Sequence, residues 1–186
     1  MRQVVLCVSL SLVATAGCTE YRLVSPARVP MVNAYSLETR IPWSEMSRSR
    51  DTIWTVDGPL LDQVRFTAGL AVGDALFPES GAPQLPRVFP GMMPTDVVDF
   101  FSDSLRGTGV HAATTRHLTP RSFGAAQGFQ FEVEFIAQDG LERSGIVAGA
   151  MIKGKLYVIM YAAARQHYFA RYREEVLQLL DSIVLL

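Results

Sequence analysis

The chain has 186 residues, of which 49% are hydrophobic, 19% charged and 10% aromatic, with a formal net charge of −1. That length holds one ordinary globular domain with a real core. The near-neutral balance excludes a nucleic-acid binder that works through bulk positive charge, and the hydrophobic content excludes an acidic disordered chain. Two cysteines are too few to build a disulfide scaffold.

Met1 and Arg2 give a short positive start, followed by an almost unbroken run of thirteen apolar and small residues from Val4 to Ala16. Spanning a bilayer takes roughly 20 residues, so this run fits the apolar region of a secretory signal instead. It ends in Thr15-Ala16-Gly17-Cys18, which resembles the lipobox of bacterial lipoproteins. In those proteins the signal peptidase cuts before a cysteine that already carries diacylglycerol. Thr15 departs from the pattern, which places leucine or another aliphatic there. An ordinary signal peptide with a chance cysteine near its end is the alternative.

The lipobox resemblance implies a lipoprotein signal peptide over residues 1–17, lipidation at Cys18 and a mature chain without a free thiol, suited to an oxidising periplasm. In such lipoproteins an aspartate after the cysteine favours the inner membrane. Thr19 therefore implies lipid anchoring in the bacterial outer membrane, facing the periplasm. A lone Arg2 carries no twin-arginine signal.

Nine of the ten prolines lie between Pro26 and Pro94, the tenth is Pro120, and none follows. Proline breaks helices and ladders, so the last part of the chain is expected to hold uninterrupted structure. Residues 18–40 are expected to form a lipidated tether, with Tyr21, Leu23, Val32 and Tyr35 apolar enough for part of it to lie on the domain. One domain is expected over residues 41–186. Within it, Asp51 to Val56 and Leu60 to Thr67 flank Asp57-Gly58-Pro59 as a hairpin. Pro78 to Met93 is a loop. Met93-Pro94-Thr95-Asp96 opens a helix with the stripe Val97, Phe100, Phe101 and Leu105, and Gly107 ends it.

Val110 to Leu118 is the next expected strand. Phe129, Phe131, Val133 and Phe135 then alternate with Gln130, Glu132 and Glu134, the pattern of a half-buried strand. Asp139-Gly140 and Lys153-Gly154 turn the chain into strands at Leu141 to Ile152 and Lys155 to Ala163. Leu156 to Ala162 is apolar on both faces and is expected at the centre of the sheet. From about Gln166 a final helix carries Phe169, Tyr172, Val176, Leu179, Leu180 and Ile183. The predicted fold class is α+β: an antiparallel sheet of about six strands with helices packed on its faces, ordered two strands, helix, four strands, helix.

This order resembles the PsbP-like superfamily, which includes bacterial DcrB-type lipoproteins and an oxygen-evolving subunit of photosystem II. The resemblance spans roughly residues 40–186 and lies in Phe100-Phe101, the Phe129-to-Phe135 strand, Asp139-Gly140 and the helix that follows Lys155 to Ala163. It implies an accessory or docking protein and no enzyme, on fold analogy alone.

No motif supplies a catalytic centre, and no catalytic residue, metal ligand or cofactor is predicted. Gly149 to Lys155 matches the first seven positions of a phosphate-binding loop. Leu156 then replaces the required Ser or Thr, and a strand stands where a helix should open. A hairpin tip is the reading. His111 and His117, six residues apart on one strand, lie about 20 Å from each other and cannot share a metal. Glu132 and Glu134 are read as the solvated side of an amphipathic strand rather than a glycosidic pair. The fifteen arginines against two lysines are read as spread over the surface, with Arg116, Arg121, Arg165, Arg171 and Arg173 as the one candidate local patch.

The expected function is a membrane-anchored periplasmic lipoprotein, held by lipid on Cys18, acting as a non-enzymatic accessory or docking protein of the cell envelope. Its expected partners are the membrane and an envelope protein, with no nucleic acid. The alternative is a periplasmic small-ligand carrier with an apolar pocket between sheet and helix, for which Trp54 and the Phe129 strand are candidate linings.

Overall fold

A computed structural model describes residues 21–48, 50–82 and 84–186. In chain order the strands are β1 (Arg22–Val24), β2 (Ala27–Met31), β3 (Tyr35–Thr39), β4 (Trp43–Arg48), β5 (Asp51–Thr55) and β6 (Asp62–Leu70). Helix α1 (Pro94–Arg106) follows, then β7 (Ala112–Phe123), β8 (Ala126–Ile136), β9 (Glu142–Ile152) and β10 (Lys155–Ala164). Helix α2 (Tyr168–Asp181) and the short β11 (Val184–Leu185) close the chain. The eight-stranded sheet runs β1-β4-β5-β6-β10-β9-β8-β7, and a second sheet runs β11-β3-β2; every pairing is antiparallel.

The α+β class and the placement of β10 follow the pattern of apolar residues. Ile159, Tyr161 and Ala163 point to one face and Leu156, Val158, Met160 and Ala162 to the other, and all are buried. Two hydrophobic layers result. On one face α2 and the small sheet cover Trp43, Trp54, Phe66, Ile146 and Tyr161 with Val176, Leu179 and Leu180. On the other, α1 and the 71–93 loop cover Phe129, Phe131, Val133, Val147 and Val158 with Val97, Phe100, Phe101 and Leu105. Phe101 meets Phe131 edge-on with ring centroids 5.3 Å apart.

Helix α1 starts as its sequence dictates. Met93 is the N-cap, Pro94 occupies the first turn, and the Asp96 carboxylate accepts the Met93 N–H at 2.7 Å. The 57–59 turn is held by Asp62, fully buried, whose two oxygens accept the Val56 and Asp57 N–H groups at 2.8 and 2.7 Å.

Two expectations are corrected. The described residues contain eleven strands rather than about six. The segment expected as a tether over residues 18–40 is in strands from Arg22 onward: β1 pairs with β4, and β2 and β3 form a hairpin completed by β11. Tyr35 and Leu37 are fully buried there, and burial pushes the Tyr35 phenol well above its ordinary range. Strands of three to five residues are too short for a visible period, and Pro26 and Pro30 mask them further. Pro30 is tolerated because β2 is the outer strand of its sheet.

Phe131 is fully buried against α1, so Phe131→Ala is expected to cost about 3–5 kcal/mol in denaturant melts. Glu132, on the opposite face, accepts from His117 at 2.9 Å across a largely exposed pair, and Glu132→Ala is expected to cost under about 1 kcal/mol. Equal losses would refute the register of β8.

Candidate functional site

Where the first turn of α1 leans over the ends of β7, β8 and β9, the layers part and leave an open cleft of about 820 Å³. Met92, Pro94 and Val97 form one wall, Leu118 to Ser122 of β7 the other, and Phe129 and Met151 are on the floor. The volume falls within the range of small-molecule sites. Phe129 stacks on Phe131 at 6.1 Å, which fixes the floor. Gly149 makes room for that ring: a Cβ there would stand 2.8 Å from the Phe129 ring and collide with the Tyr157 carbonyl. The cleft offers apolar side chains, two thioethers and the polar groups of Thr119, Arg121, Ser122 and Gln127. That set can hold an apolar group and orient it by hydrogen bonds. It holds no carboxylate or histidine to move a proton and no cysteine to attack.

Of the two expected pocket linings, the Phe129 strand supplies the floor and Trp54 does not take part. Trp54 is fully buried in the opposite layer, donates its indole N–H to Glu45 at 3.0 Å and packs edge-on against Phe66. Sequence reading missed Met92, Met151 and the Leu118–Ser122 wall. The one signal available was the pair of isolated strand glycines, Gly128 and Gly149, since glycine inside a strand marks close approach.

The remaining candidates resolve into structural roles. His117 has a φ of 55° and lies in the β7 bulge between Arg116 and Thr119, where it meets Glu132. His111, just before β7, donates its backbone N–H to the Ile136 carbonyl at 3.0 Å. Among the described residues no three His, Cys, Asp or Glu side chains gather as a metal site requires. Glu134 binds Arg116 at 3.0 Å, and the Gly149–Lys155 segment is a strand end and hairpin tip, as expected.

The candidate arginines are tied down as well. Arg121 reaches Asp181 at 2.5 Å, Arg165 reaches Glu142 at 3.3 Å, and Arg171 reaches Asp57 at 3.3 Å. Arg173 lies 3.9 Å from Glu132. These five form no anion-binding patch.

Outside the cleft, Asp62 is the most deeply buried acid among the described residues, ahead of Glu45 and Asp51. Desolvation pushes its carboxyl up despite the two N–H groups that it accepts. Beside it, Asp57 accepts the Tyr172 hydroxyl at 2.5 Å, and the Tyr161 hydroxyl donates to the Tyr168 and Phe169 carbonyls. With both Asp62 oxygens engaged by the turn, the cluster joins the β5–β6 turn to α2. Cys18 and the signal-like segment lie outside the described residues.

Neither protein-family profiles nor curated protein sequences match the chain. Solved structures do share its fold. The solution structure of PsbP (CyanoP) from the cyanobacterium Synechocystis sp. PCC 6803 has a TM-score of 0.58 at 13% identity, over 95% of this chain and 99% of that one. Mog1p, a Ran-binding protein of Saccharomyces cerevisiae, has a TM-score of 0.52 at 8% identity, over 89% and 95%. A weaker likeness, which carries no weight for the fold, is to LpqN of Mycobacterium tuberculosis, involved in cell envelope biogenesis, with a TM-score of 0.40 at 11% identity over 92% and 87%. The fold is PsbP-like, as the order of elements implied.

Gly149→Ala tests the floor of the cleft. The added methyl must displace the Phe129 ring and strain the β9–β10 pairing, and the variant is expected to lose on the order of 1–3 kcal/mol in a denaturant melt. A loss under about 0.5 kcal/mol would mean that the ring does not pack against Gly149.

Proposed function

We propose that this chain is a periplasmic lipoprotein, lipidated at Cys18, that acts as a non-enzymatic accessory protein of the cell envelope by docking onto another envelope component. The observation that carries the binding role is the cleft, which has the size and largely apolar lining of a recognition site and carries no carboxylate, histidine or cysteine. The fold supports it by analogy: Mog1p, which shares the architecture, is a Ran-binding protein. The anchor rests on Thr15-Ala16-Gly17-Cys18. No helix among the described residues is long and apolar enough to cross a membrane. One acyl chain binds a bilayer only marginally, whereas the two or three of a bacterial lipoprotein hold stably. Thr19 favours the outer membrane.

A second reading, a carrier of a small apolar ligand, is favoured by Phe129, Met151, Met92 and Val97 meeting in one concave surface. Native mass spectrometry of protein from its own host separates the two: a bound small molecule supports the carrier. A photo-crosslinker placed at the exposed Gln127 tests docking in intact cells. A discrete protein adduct is expected, lost in Ser122→Arg, with stability changed by no more than about 0.5 kcal/mol. Absence of any adduct would refute docking through the cleft. For the anchor, radiolabelled palmitate is expected in the wild type and not in Cys18→Ser. A wild type that takes no label and fractionates as soluble protein would overturn the lipoprotein reading.

A further inference from the structure

The cations of the described residues are distributed unevenly. At the end of the main sheet that holds the β5–β6 and β8–β9 turns, four arginines face carboxylates: Arg106 faces Asp103, Arg143 faces Asp139, Arg165 faces Glu142 and Arg171 faces Asp57. At the other end, Arg48, Arg87, Lys153 and Lys155 are exposed and face no carboxylate among the described residues. Arg87 donates to the Gly73 carbonyl at 2.8 Å and keeps its charge unmatched. Of the carboxylates at that end, Asp74 binds Arg50 at 3.1 Å and Asp96 caps α1, while the exposed Asp99 lies one turn further into the helix.

The same end carries exposed apolar side chains. Val72 is 55% exposed, Phe89 47% and Met93 63%. The register brings the basic and apolar groups together. Leu156 pairs with Leu70, so the Lys153–Lys155 hairpin lies beside the start of the 71–93 loop, and Gly73 donates to the Val88 carbonyl next to Phe89. Arg48 sits on β4, three strand spacings or about 14 Å across the sheet from β10 and, level with Val158 and Gly149, about 13 Å along it from Lys153.

The chain runs into β1 from the side of this end. Arg22 pairs with Glu45, three residues before Arg48, so the backbone preceding β1 leaves the sheet toward the β4–β5 turn. Four residue steps separate Cys18 from Arg22, a reach of at most about 14 Å. Arg22 is level with Ile146, four residues from the start of β9, and the direction of β1 carries the backbone before it away from the β5–β6 and β8–β9 turns.

We propose that this end of the sheet is a membrane-contacting surface that takes an anionic phospholipid bilayer, with Lys153, Lys155, Arg48 and Arg87 over the headgroups and Val72, Phe89 and Met93 at the interface. The inference rests on the Cys18 anchor and goes further, because it fixes which way the domain faces. A lipid on a short leader holds the basic end against the bilayer, and acidic headgroups supply the missing counter-charges. The turn end, with its matched ion pairs, faces away.

The test uses the full chain, purified with its lipid and reconstituted into vesicles of phosphatidylglycerol and phosphatidylcholine with brominated acyl chains. Tryptophan is placed at the basic end by Phe89→Trp or at the far end by Leu60→Trp; Trp43 and Trp54 are buried and give a constant background. At least twofold quenching of the new tryptophan is expected in Phe89→Trp, with none in Leu60→Trp. Adding Lys153→Glu and Lys155→Glu is expected to halve that quenching, and replacing all the lipid by phosphatidylcholine to do the same. Equal quenching at both positions, or none at either, in protein that floats with the vesicles would overturn the orientation and leave the anchor standing. Protein that carries no lipid and does not float would overturn the anchor, and the orientation with it.

Discussion

The β10 strand is the constraint from which the architecture follows. Leu156 to Ala162 places large apolar side chains alternately on both sides, so neither face of the sheet can be left to water. One helix covers one face only. The chain meets the requirement by sending α1 and the 71–93 loop to one side and α2 with the small sheet to the other. The β2–β3–β11 sheet thus belongs to the fold rather than to a linker, since Tyr35 and Leu37 close the layer that α2 leaves open. The outer strands are protected in different ways. β1 is only three residues long, and β7 is interrupted by the His117 bulge and by Pro120.

The cleft arises where this double cover is thinnest. Helix α1 lies across the sheet and its first turn overhangs β7 to β9, while the glycines in β8 and β9 keep the floor low. A floor fixed by stacked rings and walls carrying methionine combines a rigid base with adaptable sides. Such a surface suits recognition of an apolar group. Most arginines are committed to carboxylates on neighbouring strands and helices, which fixes the packing of surface elements, while Lys153 and Lys155 at the hairpin tip face none among the described residues.

The proposed anchor and the proposed membrane-facing end address the same physical problem. A short leader restricts a domain to orientations that bring its point of entry close to the bilayer. Among those orientations, the distribution of charge and apolar side chains selects one. In that arrangement the cleft, lined at the start of α1 and the end of β9, lies toward the end bearing Lys153 and Lys155.

The sequence by itself determined the elements whose periodicity runs long enough to read. The Phe129-to-Phe135 alternation, the doubly apolar β10, the stripes of α1 and α2 and the Asp57–Pro59 turn all come from local patterns of side chains, and the α+β class follows from them. It also determined the signal-like start and Cys18, because those are compositional features that need no fold. It could not reveal β1 to β3, whose three to five residues make no period and whose stability comes from partners distant in sequence: β4 for β1 and the C-terminal β11 for β3. Nor could it assign Trp54 and Phe129 to opposite layers, since the face a residue occupies depends on the register between strands rather than on the residue itself. The cleft and the unmatched basic end were settled only by the tertiary structure. Both are made by groups from separate parts of the chain, and pairing across a sheet is what brings those groups together.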